Sequence, residues 1–245
     1  MALENILFEV KNRVATITLN RPEKLNALNE PTRHEIMRCL DGARDDEGVR
    51  CILLTGSGRA FSSGGDISGA PKTTIADWVE HRETHEAWND RLREYPKPVV
   101  GVINGLCYGA ALNLAIQLDF MIASDQARFC FIEARMGVSG QSHIVYHIGF
   151  QWAKRLFFTG EVIDAHKAES IGLVTEVVPH AQLMARAQDI GERIAAIPKN
   201  GVRFNKVSVN GVMHAMGLDM AHRQYQAVTT IGDFLSRDAE APDGR

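Results

Sequence analysis

Two segments that lie far apart in the chain, Arg59-Ala-Phe-Ser-Ser-Gly-Gly-Asp66 and Asn104-Gly-Leu-Cys-Tyr-Gly-Ala-Ala-Leu-Asn113, share one design: small residues directly after an apolar strand. Small side chains let backbone N–H groups approach a ligand closely. The second segment runs into a predicted helix, Ala110 to Leu118. The first amides of a helix lack partners within it, and its dipole favours negative charge. Together the two segments read as halves of an anion-stabilising site. The oxygen of a thioester that is turning into an enolate is an anion of that kind.

The elements that must carry these loops alternate between strand and helix. Ile6 to Val10 and Val14 to Leu19 form a predicted hairpin, and Pro31 to Ala43 is a helix with Ile36, Met37, Leu40 and Ala43 on one face. Val49 to Thr55 and Val99 to Ile103 are apolar strands that lead into the two loops; Thr73 to Tyr95 between them is helical in character and ends at Pro96-Lys-Pro98. Phe120 to Ala123 and Leu173 to Val178 are further strands, with helices at Phe150 to Phe158 and Ala165 to Ile171. This alternation predicts an α/β core. From His180 on the strand signals stop, and three helices follow, His180 to Ala196, Gly201 to Ala215 and Leu218 to Leu235. The chain therefore divides into a core with the site at 1–179, a helical region at 180–237 that packs on the core or on another subunit, and a disordered tail at 238–245.

At 245 residues, 45% of them hydrophobic and 23% charged, the chain is long enough for a substantial core without staples. A formal charge of −3 argues against nucleic acid or an acidic membrane as the main partner. Cys39, Cys51, Cys107 and Cys130 lie too far apart for a zinc motif or a disulfide framework, so no metal is expected. The opening residues MALENILFEV lack a basic stretch followed by a long apolar run, and no later segment has the length of a membrane span, which predicts a cytoplasmic protein. Neither Gly-rich loop has the GxGxxG spacing of a dinucleotide site, so no redox cofactor is expected.

These pieces resemble the crotonase superfamily, the enoyl-CoA hydratases and isomerases. The resemblance rests on Asn20-Arg-Pro-Glu-Lys-Leu-Asn-Ala-Leu28, Ala60-Phe-Ser-Ser-Gly-Gly-Asp-Ile67, Lys97-Pro-Val-Val-Gly-Val-Ile-Asn-Gly105, Asp119 with Ala123, Phe129 to Gly137, Thr159-Gly160 and Gly172-Leu-Val-Thr-Glu-Val-Val178, in the family's order. It implies an α/β fold of a crotonase-like spiral of ββα units, forming two roughly perpendicular sheets with a C-terminal helical region. It further implies a homotrimer, or a dimer of trimers, acting on a small-molecule acyl-CoA thioester, with CoA entering as part of the substrate and no separate cofactor. By motif position the oxyanion-hole amides belong to Ser62 and Ala110, where alanine replaces the usual glycine. Lys24, Ala60, Ser63, Gly64, Gly65, Asp66 and Ile67 match substrate-contacting positions, and Arg21, Lys24 and Lys206 are the basic residues nearest the family's CoA-binding regions.

The family's hydratases use two glutamates, and the matching positions here hold Asn113 and Glu133. Asparagine orients water or a carbonyl but takes up no proton near neutral pH, so the hydration base is missing. One carboxylate suffices to move a double bond by lifting a proton from one carbon and returning it to another. Phe129, Phe131, Ile132 and Met136 around Glu133 suggest an apolar setting suited to that shuttle; the plainer reading is a strand-end carboxylate paired with Arg128 or Arg135. After Gly137 the chain departs from the family pattern and brings in His143, Tyr146 and His147. With a histidine activating water, a hydrolase of β-dicarbonyl compounds or acyl-CoA esters is the alternative, which also keeps His85 in view. A non-catalytic CoA-binding subunit is the third reading.

Overall fold

The computed structural model describes residues 3–68, 79, 84, 87–137 and 140–236. Among the described residues ten strands form two sheets. The larger has the order β1-β2-β3-β5-β7-β10, built from Ile6–Lys11 (β1), Val14–Leu19 (β2), Cys51–Gly56 (β3), Val99–Ile103 (β5), Phe120–Ser124 (β7) and Glu176–Val178 (β10). Only the β1–β2 hairpin is antiparallel; the other four pairings are parallel. The smaller sheet, β4-β6-β8-β9, comprises Ala60–Ser62 (β4), Leu106–Tyr108 (β6), Arg128–Cys130 (β8) and Ile163–Asp164 (β9).

A central parallel strand needs cover on both faces, and every residue of β3 and β5 is buried. Successive side chains point to opposite faces. Ile52 and Leu54 join the large core shared with helix α1 (Glu30–Arg44) and with the smaller sheet; Cys51 and Leu53 join Val14, Val100 and Ile122 under helix α5 (Leu183–Ala196), which contributes Leu183 and Ala187. The first of the three predicted C-terminal helices is thus part of the core. The other two, α6 (Lys199–Ala215) and α7 (Leu218–Ser236), leave Phe204, Val207, Val212, Met216, Met220 and Val228 more than half exposed.

The predicted elements agree with the structure where periodicity is long. α1 starts one residue earlier than expected because Asn29 caps it, its Oδ1 accepting from the Thr32 amide at 2.9 Å. The helix expected from Phe150 is Val145–Thr159 (α3), with Gly149 at φ 72°, ψ 170° breaking its regular turn just before Phe150. Helix α4 is Ala165–Ser170. The strand expected over Leu173 to Val178 shrinks to Glu176–Val178, since the Leu173 and Val174 amides turn back to Ala168 O. Of the segment Thr73 to Tyr95, residues 87–93 are helical, while Trp78 and His85 lie outside the described residues, as does the tail at 238–245.

The smaller sheet holds the site. Each strand of the larger sheet that ends in a glycine-bearing loop feeds the next strand into the smaller one: β3 turns into β4, and β5 into β6. Two buried asparagines clamp that crossing. Asn26 Nδ2 donates to Ser57 O (2.9 Å) and Ala60 O (2.8 Å), while Asn104 Nδ2 donates to Gly58 O (2.9 Å) and Ala60 O (3.2 Å). The carbonyl just before Phe61 and Ser62 is therefore pinned from two directions.

Candidate active site

β4 delivers Ser62 and β6 delivers helix α2 (Ala110–Ala115), and the two strands are parallel neighbours with a register shift between Ala60 and Ser62. The loops meet closely. Gly64, at φ 112°, lies so near the α2 terminus that a Cβ there would stand 2.9 Å from Tyr108 O and 3.4 Å from the Ala110 amide nitrogen. Within the loop, Ser63 N is spent on Leu25 O (2.9 Å) and Gly64 N on Ser62 Oγ (3.1 Å). Along α2 the first intrahelical bond is that of Asn113 N to Gly109 O (3.0 Å), so the Ala110 amide precedes the ladder. At six residues α2 is shorter than the predicted Ala110 to Leu118, because the chain tightens into turns at Gln117 and Leu118. The local amides, more than a long helix dipole, supply its positive end.

Glu133 sits in a 3-10 turn, Ile132–Met136, beside this terminus. Gly109 makes room for it: a Cβ there would lie 2.9 Å from Ile132 Cγ2 and 3.3 Å from Glu133 Oε1. Asn113 Nδ2 donates to Glu133 Oε1 at 2.9 Å, and Asn113 Oδ1 accepts from the Gln141 amide at 3.4 Å. Thus the two positions that hold glutamates in the family's hydratases are in direct contact, with asparagine as donor and carboxylate as acceptor. The expected neighbours are only partly apolar: Phe129 and Phe131 are buried, Ile132 is half-buried, and Met136 faces outward at 58% exposure. The two arginines set against Glu133 in the plainer reading bond elsewhere, Arg135 Nε to Gly160 O (2.9 Å) and Arg128 to Ala127 O (2.8 Å).

The remaining sequence candidates divide. Ala60 is a buried strand residue, Gly65 and Ile67 are exposed at the loop rim, and Lys24 is exposed on a short 3-10 turn. Asp66 binds Arg21 NH1 at 3.0 Å and Ser68; the Ser68 hydroxyl and amide together with Arg21 hold its carboxyl down at about 2. Arg21 is committed to this loop, donating also to Ala27 O at 2.8 Å. Lys206, its side chain 8% exposed, pairs with Asp119 at 2.8 Å on the α6 side of the protein.

His143 is buried, with Nδ1 3.3 Å from Gln117 Nε2 and Nε2 3.1 Å from His222 Nδ1. Both ring nitrogens are occupied by side chains, which removes the geometry a water-activating base needs. His147 donates to Ile116 O at 3.0 Å, and Tyr146 OH reaches Met216 O. Burial pushes the His143 imidazole down to about 3, with His222, Arg93 and His147 adding to the effect, so it is neutral in the folded protein. The unfolded chain takes up that proton below about 6.5. The stabilisation is therefore fully present above pH 6.5 and lost as pH falls from there toward 3, at roughly 1 kcal/mol per pH unit. Thermal melts at pH 7.5 and pH 5 should show this decline, and His143→Gln should make it shallower, the remainder coming from His147 and His222, which burial also holds neutral.

Sequence reasoning missed Gln117, Gln141 and Arg93, which lie behind Asn113. Gln117 is four residues after Asn113, and that helical spacing was the available signal.

The sequence pattern of the enoyl-CoA hydratase/isomerase family matches residues 9–236. The chain is 34% identical over 218 residues to a short-chain-enoyl-CoA hydratase of Clostridium acetobutylicum, covering 86% of this chain and 82% of that one. It is 35% identical over 209 residues to a trans-2-decenoyl-[acyl-carrier-protein] isomerase of Streptococcus mutans, covering 82% and 78%. Among solved structures, an enoyl-CoA hydratase/isomerase from Xanthobacter autotrophicus Py2 superposes with a TM-score of 0.92 at 30% identity, over 95% of this chain and 88% of that one. A probable enoyl-CoA hydratase from Mycobacterium thermoresistibile gives 0.91 at 29%, over 96% and 97%. The fold and these matches define a crotonase-type acyl-CoA enzyme. The chain belongs to the enoyl-CoA hydratase/isomerase family. Among the described residues no helix is long and apolar enough to cross a membrane.

Proposed function

We propose that this enzyme moves a double bond along an acyl-CoA thioester, with Glu133 as the only proton carrier. The observation that carries this reading is the Asn113–Glu133 pair, a carboxylate facing an amide donor where a second carboxylate would be needed for hydration. Glu133 takes a proton from C2 of a 3-enoyl thioester. The electron pair passes into the thioester carbonyl, and the dienolate oxygen rests between the Ser62 and Ala110 amides. Glu133 then returns the proton to C4, leaving the 2-enoyl product. Each aimed amide is worth about 3 kcal/mol of barrier. Alanine at 110 serves because the donor is the backbone, not the side chain.

A panel of 3-enoyl- and 2-enoyl-CoA thioesters tests it. Isomerisation should exceed hydration of the 2-enoyl substrate at least a hundredfold, and comparable rates would overturn the reading. Asn113→Glu restores the second carboxylate within hydrogen-bonding distance of Glu133, so hydration should rise at least tenfold and isomerisation should fall. Two carboxylates that close cannot both ionise freely, and one of them would hold a proton ready for the α-carbon.

The exposed apolar residues of α6 and α7 support association with further copies of the chain, and the family resemblance makes that assembly a homotrimer or a dimer of trimers. Light scattering at micromolar protein reads the assembly directly.

A further inference from the structure

Behind Asn113 runs a buried chain of side chains whose direction can be followed atom by atom. Arg93 NH1 donates to Gln117 Oε1 at 3.0 Å, which fixes the oxygen end of that amide. Gln117 Nε2 then faces Gln141 Oε1 (2.8 Å), Asn113 O (3.4 Å) and His143 Nδ1 (3.3 Å). An amide nitrogen only donates, so His143 Nδ1 accepts and His143 carries its proton on Nε2. That proton goes to His222 Nδ1 at 3.1 Å, which leaves the His222 proton on Nε2, 3.2 Å from Gln226 Nε2; two donors cannot pair, so this polarity requires the Gln226 amide to turn and present its oxygen to His222. The two imidazoles are stacked, with centroids 5.0 Å apart and an interplanar angle of 23°. Arg93 itself is anchored by Asp90 and Glu94.

At its other end the same chain sets Asn113. Gln141, held through its side chain by Gln117, offers its backbone N–H to Asn113 Oδ1, and this turns Asn113 Nδ2 toward Glu133 Oε1. Five elements meet here: the 87–93 helix, α2, the stretch before α3, the Glu133 turn and α7.

We propose that Arg93, Gln117 and the His143–His222 pair are positioning residues that make Asn113 a donor to Glu133 and so couple the docking of helix α7 to the aim of the catalytic carboxylate. The inference rests on Glu133 being the proton carrier. None of the four touches substrate. They act through Asn113, and the polarity is set from the Arg93 end, where the guanidinium fixes which end of the Gln117 amide donates.

Burial holds both imidazoles neutral, as this requires. His143 is faced by His222, Arg93 and His147, and His222 by Asp90, Arg93 and Asp219. A protonated His143 would turn an N–H toward the Gln117 amide N–H and break the sequence of donors.

The test compares Gln117→Met, His143→Leu and His143→Gln in the full chain. Glutamine at 143 still offers one acceptor and one donor, whereas leucine offers neither. Two readouts are taken: kcat and KM for 3-enoyl-CoA isomerisation, and proton-exchange protection of the Asn113 side-chain amide by nuclear magnetic resonance. Gln117→Met and His143→Leu should lower kcat at least tenfold with KM within twofold and cut the Asn113 protection at least tenfold. His143→Gln should bring both back to within threefold of the wild type. Unchanged Asn113 protection in Gln117→Met and His143→Leu overturns the inference whatever the turnover, and so does failure of His143→Gln to rescue a soluble, folded protein. Full activity of Glu133→Gln would instead remove the proton-carrier reading, a separate and distinguishable failure.

Discussion

Glu133→Gln is expected to cut thioester isomerisation by roughly 10²- to 10⁴-fold, the range a positioned general base contributes, while the melting temperature stays close to that of the wild type. The two halves of this expectation come from the same contact. Asn113 Nδ2 donates to Glu133 Oε1 at 2.9 Å, and glutamine keeps a carbonyl oxygen that accepts the same bond. Packing against Gly109 is likewise unchanged in volume. What disappears is the capacity to take and return a proton. In the proposed mechanism a thioester still finds the Ser62 and Ala110 amides, so KM should move little and the loss should fall on kcat, the pattern of an interaction made only in the transition state. Steady-state kinetics with a 3-enoyl-CoA, paired with a thermal melt, reads both halves. A variant that turns over normally would show the carboxylate to be structural.

How much of this was legible beforehand depends on the length of the signal. The α1 face of Ile36, Met37, Leu40 and Ala43 and the apolar runs of β3 and β5 were visible because several residues repeat one burial pattern. The strands of the smaller sheet, two or three residues each, have no period to read, although they are the strands that carry Ser62 and Gly109. The two glycine-rich loops and the Asn113–Glu133 correspondence came from motifs, and the structure brings those two side chains into contact across twenty residues. The partners of two cations were hidden for a physical reason. Arg21 and Lys206 look like free surface charge in a sequence, but each is committed to a carboxylate, Asp66 and Asp119, brought near by the fold. His143 was noticed for its chemistry, yet its partners Gln117 and His222 come from distant parts of the chain, and no local pattern announces a neutral histidine pair.

Gly109→Ala should damage stability and catalysis together, and more severely than its single added methyl group suggests. Gly109 has φ 52° and ψ −125°, a backbone conformation closed to L-residues, so the substitution costs on the order of 1–3 kcal/mol before any contact is counted. The new Cβ would then stand 2.9 Å from Ile132 Cγ2 and 3.3 Å from Glu133 Oε1. Ile132 is branched at Cβ and cannot swing its Cγ2 aside freely. The relief must come from the Glu133 turn moving away from α2 or from the terminus of α2 rotating. The first lengthens the Asn113–Glu133 bond and withdraws the base; the second turns the Ala110 amide away from the thioester oxygen. A misplacement near 1 Å is enough to cost about a hundredfold in rate. The expected result is a melting temperature several degrees lower and kcat reduced about a hundredfold, without the unchanged stability of Glu133→Gln. Gly64→Ala offers the companion measurement from the other loop. Its Cβ would meet the Tyr108 carbonyl at 2.9 Å, yet it would leave Glu133 untouched, so its kcat loss should persist on any substrate that needs the thioester oxygen held. If Gly109→Ala folds normally and keeps its kcat, the close approach of the helix terminus to the carboxylate is not what aims the chemistry.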